Sequence, residues 1–438
     1  MAASTTQKRP QKPQHITNLR YPYAKTWDKR SQYAEFEIAN IHFSMANAIR
    51  RAMIAQIKTV GFRTEPYKAS TVDIKVNDTP LHNQIMAHRI GMIPINIPNP
   101  DKFDVDDFLF IINVVNDTNT SRLITTQDFT IRQISTNRYL DKKDVTRFFP
   151  PDPITGDYLV LTKLRPKYFT PSKTHTKEVI DEMGSTFNKT VDEKTQFHME
   201  AKAVISNSAE NAHFSPVSTA AYINTVDPKR AVDGLKSYID SQNEAAKNGN
   251  YTAASVELLT RRFELTERAR HFYVNEKGDP NVFTFKIESV GVIPPLVIFH
   301  RAIDVIKAKI TNFVANIVSK NENEVIIAAS SQMDDAYTIT VKNEDDTLGN
   351  IIQSHLCLMY ADFTIPKEQR LLHYIGYKKP HPLENKIVFE IKGVDGGWEN
   401  VVNTVIKAGC GEIVKLLNKI QNEMEGTPAF ISEMKAIA

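Results

Sequence analysis

Few residues in this chain have types and spacing that could do covalent chemistry. Asp104, Asp106 and Asp107 form the densest acid cluster. They match no three-Asp magnesium motif, and a solvated acidic loop accounts for them. Glu344, Asp345 and Asp346 precede a helix start, where carboxylates favour the positive end of the helix dipole and Asp346 or Thr347 can cap. His82 and His88 stand on no HExxH frame, and a Walker-type phosphate loop is missing. Cys357 and Cys410 are the only cysteines and have no metal spacing. Disulfide frameworks, zinc ribbons and iron–sulfur clusters are disfavoured, and neither metal nor cofactor is expected. What remains is the pair Arg50 and Arg51, opposite the apolar face of a helix, where an arginine is usually a solvated residue.

The helix that carries this pair is expected from about Ser44 to Ile57. At about 100° per residue from Asn47, Arg51, Ile54 and Lys58 share one angle and Arg50 lies at its edge. Met45, Ala48, Ile49, Ala52 and Met53 fall opposite. One face packs on a sheet; the other offers Asn47, Arg50, Arg51 and Lys58. A second helix start, from Asp345 through Asn350, echoes the first. Each Asn stands either for a partner contact or for a bond to local backbone at the helix start.

Strand-like runs cover Tyr33 to Ile41, Val72 to Val76, Phe108 to Val115, Phe129 to Ile134, Tyr158 to Leu164 and Ala201 to Ser206. Residues 62–225 lack long helical stripes and read as mainly β. Residues 230–275 turn charged and helix-prone. A helix from Pro295 carries Phe299, Ile303, Ile306, Ile310 and Phe313 on one stripe. Beyond a polar break at 319–323 come strands near 325–342, a helix from Thr347, and strands near 371–377 and 386–393. A last helix to about Glu425 carries Val402, Ile406, Ile413, Leu417 and Ile420. With Leu348 and Ile352, these stripes either bury in their own half or pack one half on the other.

The bulk numbers agree with an ordinary globular chain: 438 residues, 41% hydrophobic, net charge +3. The first thirty residues hold seven Lys or Arg against one acid, and read as a basic flexible arm. No signal peptide or long apolar run occurs.

Phe43-Ser44-Met45-Ala46-Asn47-Ala48-Ile49-Arg50-Arg51 resembles the first-helix motif of alpha-type subunits of multisubunit DNA-directed RNA polymerases. Ile85 through Ile95, with His88, Arg89 and Gly91, resembles the second block of the larger archaeal and eukaryotic alpha-like subunit. Leu161–Pro166, Glu210–Val217 and Phe283–Gly291 resemble further blocks. Asp345–Ile352 and Gly376–Ile387 resemble the smaller alpha-like subunit, its partner. The resemblance implies an α+β fold of two dimerisation modules, each an antiparallel sheet with long helices, pairing within one chain. The expected division is an arm at 1–30, a first module at 31–62 and 226–320, a mainly β insert at 63–225, and a second module at 321–438.

The resemblance also implies a non-catalytic platform that assembles two large catalytic subunits and a small zinc-bearing adaptor. Arg50 and Arg51 would anchor the second-largest subunit, while His88, Arg89 and Gly91 would either touch a partner or form a tight turn. With no Cys before residue 357, the zinc loop or cluster site of some relatives cannot form. Fusion of both subunits in one chain is similar to arrangements in large DNA viruses, which implies host cytoplasm and virion, with the nucleus as the alternative. The rival reading is a free-standing nucleic-acid-binding protein that uses the arm; the small net charge and lack of an aromatic–basic RNA motif argue against it.

Overall fold

The computed structural model describes residues 15–23, 32–166, 176–180, 186–190, 194–247, 256–394 and 397–437. The chain begins with β1 (Ile16–Arg20) and β2 (Tyr33–Ala39). In β2, Ala34, Phe36 and Ile38 are buried while the intervening residues reach toward solvent, the period-two pattern of a half-buried strand. Helix α1 (Phe43–Ala55) and β3 (Thr59–Gly61) follow. Next come β4 (Val72–Asn77), α2 (Asn83–Gly91), β5 (Phe108–Asn116), β6 (Arg122–Thr125), β7 (Phe129–Gln133), β8 (Arg138–Tyr139) and α3 (Lys142–Phe148). Then follow β9 (Val160–Leu164), β10 (Thr176–Ile180), β11 (Thr186–Thr190), β12 (Thr195–Lys202) and β13 (Val204–Ser206). The first half closes with β14 (Val217–Asn224), α4 (Pro228–Lys247), α5 (Val256–Thr266), β15 (Val282–Ser289) and α6 (Pro295–Val318).

The second half holds β16 (Val325–Ala329), β17 (Tyr337–Lys342), α7 (Asp346–Leu356), β18 (Leu372–Lys378) and β19 (Lys386–Gly393). It ends with α8 (Trp398–Asn400), a π-helical stretch Val401–Lys407, α9 (Ala408–Glu425) and α10 (Pro428–Ile437).

Two four-stranded antiparallel sheets, ordered β1-β2-β15-β14 and β16-β17-β19-β18, carry the two halves. A five-stranded sheet, β4-β12-β5-β7-β8, carries the insert. One apolar cluster runs through α1, α6 and the first sheet into α7, α9 and the second sheet. Phe299, Ile303, Ile306, Ile310, Phe313, Leu348, Ile352, Val402, Ile406, Ile413, Leu417 and Ile420 all belong to it and are buried. The stripes therefore face each other across the halves, and full burial of each such side chain contributes about 1.5–3 kcal/mol. Gly409 permits a close approach here: a Cβ on it would stand 2.2 Å from Leu356 Cδ2. The insert has its own core, built on Phe62, Met86, Ile90, Phe110, Phe129 and Phe197.

In the insert α2 and α3 are short helices, in keeping with a mainly β segment without long helical stripes. Three expectations shift. β14 pairs with β15, so 217–224 belong to the first sheet and not to the insert. The run expected from Ala201 to Ser206 is two strands, because Ala203 separates the end of β12 from β13. The expected arm falls largely outside the described residues, but Ile16–Arg20 is a strand held against β2.

Candidate functional site

Arg50 and Arg51 are placed by a helix start that neither Asn forms. Helix α1 is capped by His42, whose Nδ1 accepts from the Ser44 backbone N–H at 3.2 Å and lies 2.7 Å from Ser44 Oγ. Burial holds the His42 imidazole below its usual pKa, against the opposing charge of Asp279. Asn47 sits one turn on, and its Oδ1 accepts from Arg50 Nε and Nη2 at 3.1 and 2.9 Å. The local-backbone role considered for Asn47 gives way to a side-chain one: it orients Arg50. Asn350 likewise uses its side chain, accepting from Ser354 Oγ at 2.9 Å.

Arg51 points elsewhere. Its Nε donates to Thr347 Oγ1 at 2.8 Å, and its Nη2 lies 3.3 Å from Asp345 Oδ2. Asp345 is the N-cap of α7, accepting from Thr347 N at 3.0 Å, so it fills the capping place expected of Asp346 or Thr347. Arg51 thus crosses from the first half to the helix start of the second, and a role as a wholly free anchor has to be revised. The reciprocal contact is made by His355 of α7, whose ring lies 5.7 Å from that of His42. Each helix reaches the other's cap, the reciprocity of a pseudo-twofold pair.

The charge around this crossing is partly desolvated. Lys309 of α6 pairs with Glu344 at 2.6 Å. Burial still pushes the Glu344 carboxyl up, with Lys309 opposing. For Asp345, burial is outweighed by the Thr347 hydroxyl, Lys309 and Arg51, and the carboxyl is held below its usual range. Among the described residues no carboxylate pairs with Arg50. Its guanidinium, half-buried and braced by Asn47, keeps donors in hand on the outer face of α1.

The other expected contact residues lie apart. Lys58 is exposed beyond the end of α1 and lines a cleft of about 380 Å³ with Gln56, Asp101, Lys102, Arg301 and Asp304. His88 and Arg89 are exposed on the last turn of α2, on the insert's own core; Arg89 donates to Val160 O at 3.1 Å. Gly91 is buried, and a Cβ there would stand 3.0 Å from Thr64, so close packing explains it and it presents nothing to a partner. His213 is half-buried in the loop after β13, where Thr59 Oγ1 donates to Phe214 O at 2.7 Å and Ser215 Oγ to Val217 O at 2.9 Å. These bonds shape the loop. Asp107 of the acid cluster accepts from Gln133 Nε2 and Ser135 N, each at 2.7 Å, and Asp104 caps a single 3-10 turn. Among the described residues no three His, Cys, Asp or Glu side chains are grouped to hold a metal.

Sequence reasoning missed Asp345 as the target of Arg51, the Lys309–Glu344 pair, and α10. Only α10 left a local signal: Thr427-Pro428 is a cap followed by Pro at the first helical position, and Thr427 Oγ1 accepts from Phe430 N at 3.3 Å.

Comparison with known proteins agrees with this geometry. The family model described as the RNA polymerase Rpb3/Rpb11 dimerisation domain matches residues 35–310, and a second model of the same description matches 336–423. The chain is 25% identical over 316 residues to the DNA-directed RNA polymerases I and III subunit RPAC1 of Saccharomyces cerevisiae, covering 63% of this chain and 82% of that protein. It is 38% identical over 79 residues to the DNA-directed RNA polymerases II, IV and V subunit 3 of Arabidopsis thaliana, 18% of this chain and 23% of that one. It is 32% identical over 79 residues to the subunit Rpo3 of Pyrococcus furiosus, 18% and 27% of the two chains. With both matched regions in one polypeptide, sharing one apolar core, the chain belongs to the Rpb3/Rpb11 dimerisation-domain family of RNA polymerase alpha-like subunits.

Proposed function

We propose that this chain is the non-catalytic assembly platform of a multisubunit DNA-directed RNA polymerase, with both alpha-like partners fused. The observation that carries this reading is the single core formed by α1, α6, α7 and α9 from two matched dimerisation domains. A joined pair needs no second chain to complete it. A short tether raises the effective concentration of one half for the other to about the millimolar range. The completed pair would nucleate association of the two large catalytic subunits and a small zinc-bearing adaptor. The outer face of α1, led by Arg50 with Lys58 beyond it, would meet the second-largest subunit; exposed His88 and Arg89 would serve the insert. Fusion in one chain also supports a large-DNA-virus source, with host cytoplasm and virion as the place of action.

Arg50→Glu in the full chain tests the assigned face. The isolated variant should still fold, because the half-buried guanidinium of Arg50 bonds only to Asn47 of its own helix. Recovery of the second-largest subunit with the tagged chain should fall more than about tenfold, the scale of a lost arginine hot spot. Unchanged recovery from a folded variant contradicts the assignment.

A further inference from the structure

The two matched domains end at 423 and begin at 35, which leaves β1 and α10 outside both. These extensions, from opposite chain ends, meet over the start of α6. That helix start is incomplete by itself. Pro294 is its N-cap and offers no side-chain bond, so the N–H groups of Leu296 and Val297 need an acceptor. Glu433 of α10 supplies it: Oε2 accepts from Leu296 N at 2.9 Å and from Val297 N at 3.2 Å. Its other oxygen accepts from Tyr21 Oη, just past β1, at 2.7 Å. Glu423 of α9 makes a second tie, accepting from His15 N at 2.6 Å and Ile16 N at 3.1 Å. Phe430 of α10 is buried and stacks on His300 of α6 at 5.1 Å. The far end of α10 touches the insert, where Asn99 Nδ2 donates to Ile437 O at 3.3 Å. Asn99 in turn accepts from Arg301 of α6 at 2.6 Å.

We propose that β1 and α10 close a latch over the start of α6, keyed by Glu433 and Glu423, which holds the two halves and the insert in one relative orientation. The second half caps α6 of the first half, and the segment from His15 to Tyr21 is bound to Glu423 and Glu433. The latch also responds to pH. Burial pushes the Glu433 carboxyl up to about 7, against the Tyr21 hydroxyl and the two N–H groups. Tyr21 is the titratable group in contact; on α6, His300 is engaged by Glu425 at 2.7 Å and Asp304 at 3.3 Å, and Arg301 is turned to Pro98 and Asn99. A carboxyl raised in the folded state stabilises most below its unfolded pKa, and that contribution is lost as pH rises from there through about 7. The latch therefore loosens toward alkaline pH.

Hydrogen exchange on the intact chain, corrected for intrinsic rates, tests this. Glu433→Ala should quicken exchange at Leu296 and Val297 about tenfold, the factor of one lost helix cap, and should quicken Ile16–Arg20 as well. The β18–β19 pair should be unchanged. Tyr21→Phe should loosen β1 with a smaller effect on α6. Should the alanine variant fail to fold, Glu433→Gln keeps the shape and removes the titration: exchange at these sites should rise between pH 5 and pH 8 in the native chain and stay level in the variant. Loosening confined to α10, or the same pH trend in both chains, overturns the latch.

Discussion

The starts of α1 and α7 share a plan and differ where they meet. One is capped by an imidazole that burial keeps neutral, the other by an aspartate held ionised. Asn47 braces an arginine, while Asn350 braces a serine. Arg51 reaches across to the aspartate cap, and His355 reaches back to the imidazole. Swapping the caps would leave Arg51 beside an imidazole without a counter-charge. The difference therefore gives the pseudo-symmetric pair a direction. It also leaves Arg50 on the outer face of one helix only, which is how a near-symmetric core can present unlike surfaces.

The comparison breaks most strongly in the shared core. Ile49→Ala in α1 and Ile352→Ala in α7 should each cost about 2–5 kcal/mol, because both are fully buried in the same cluster. Both should lower one common transition, read by helical signal and by the fluorescence of Trp398, which lies 5.0 Å from Tyr337 in the second half. Two separate transitions would mean that the halves fold alone. Gly409→Ala should cost about 1–3 kcal/mol by overpacking against Leu356, measured by the same denaturation.

The caps sharpen the contrast. Asp345→Ala removes a cap and the target of Arg51 and should cost about 1–2 kcal/mol. Arg51→Ala should cost less, up to about 1 kcal/mol, since the pair is a third exposed. In the double variant the two losses should not add. The smallest effect is a pH limb. Burial pushes the His355 imidazole down to about 4, and its Nδ1–H donates to Ile351 O at 2.9 Å. The unfolded imidazole takes its proton first, so stability should fall as pH drops from about 6.5 toward 4. His355→Gln should flatten that limb of the melting curve.

Much of this was legible in residue order. The stripe from Phe299 to Phe313 and the alternation in β2 and β5 report periodic burial, which one element's own residues reveal. The partial exposure of Asn47, Arg50 and Arg51 on α1 followed from the same periodicity, whereas Lys58 lies past the helix end. What stayed hidden depends on distant chain. Thr347 is 296 residues from Arg51, and Glu433 is 412 from Tyr21. No local pattern encodes which carboxylate a given arginine or helix start will find. Gly91 misled for a related reason: it lies in a motif with exposed His88 and Arg89, yet its own place is against Thr64.

The central claim is that one chain supplies both members of the alpha-like pair. Native mass measurement of the complex purified through this protein tests it most directly. The account predicts one copy of the 49.6 kDa chain for each pair of very large subunits, and a monomer when the chain is isolated. Two copies in each complex, or a stable dimer alone, would contradict it.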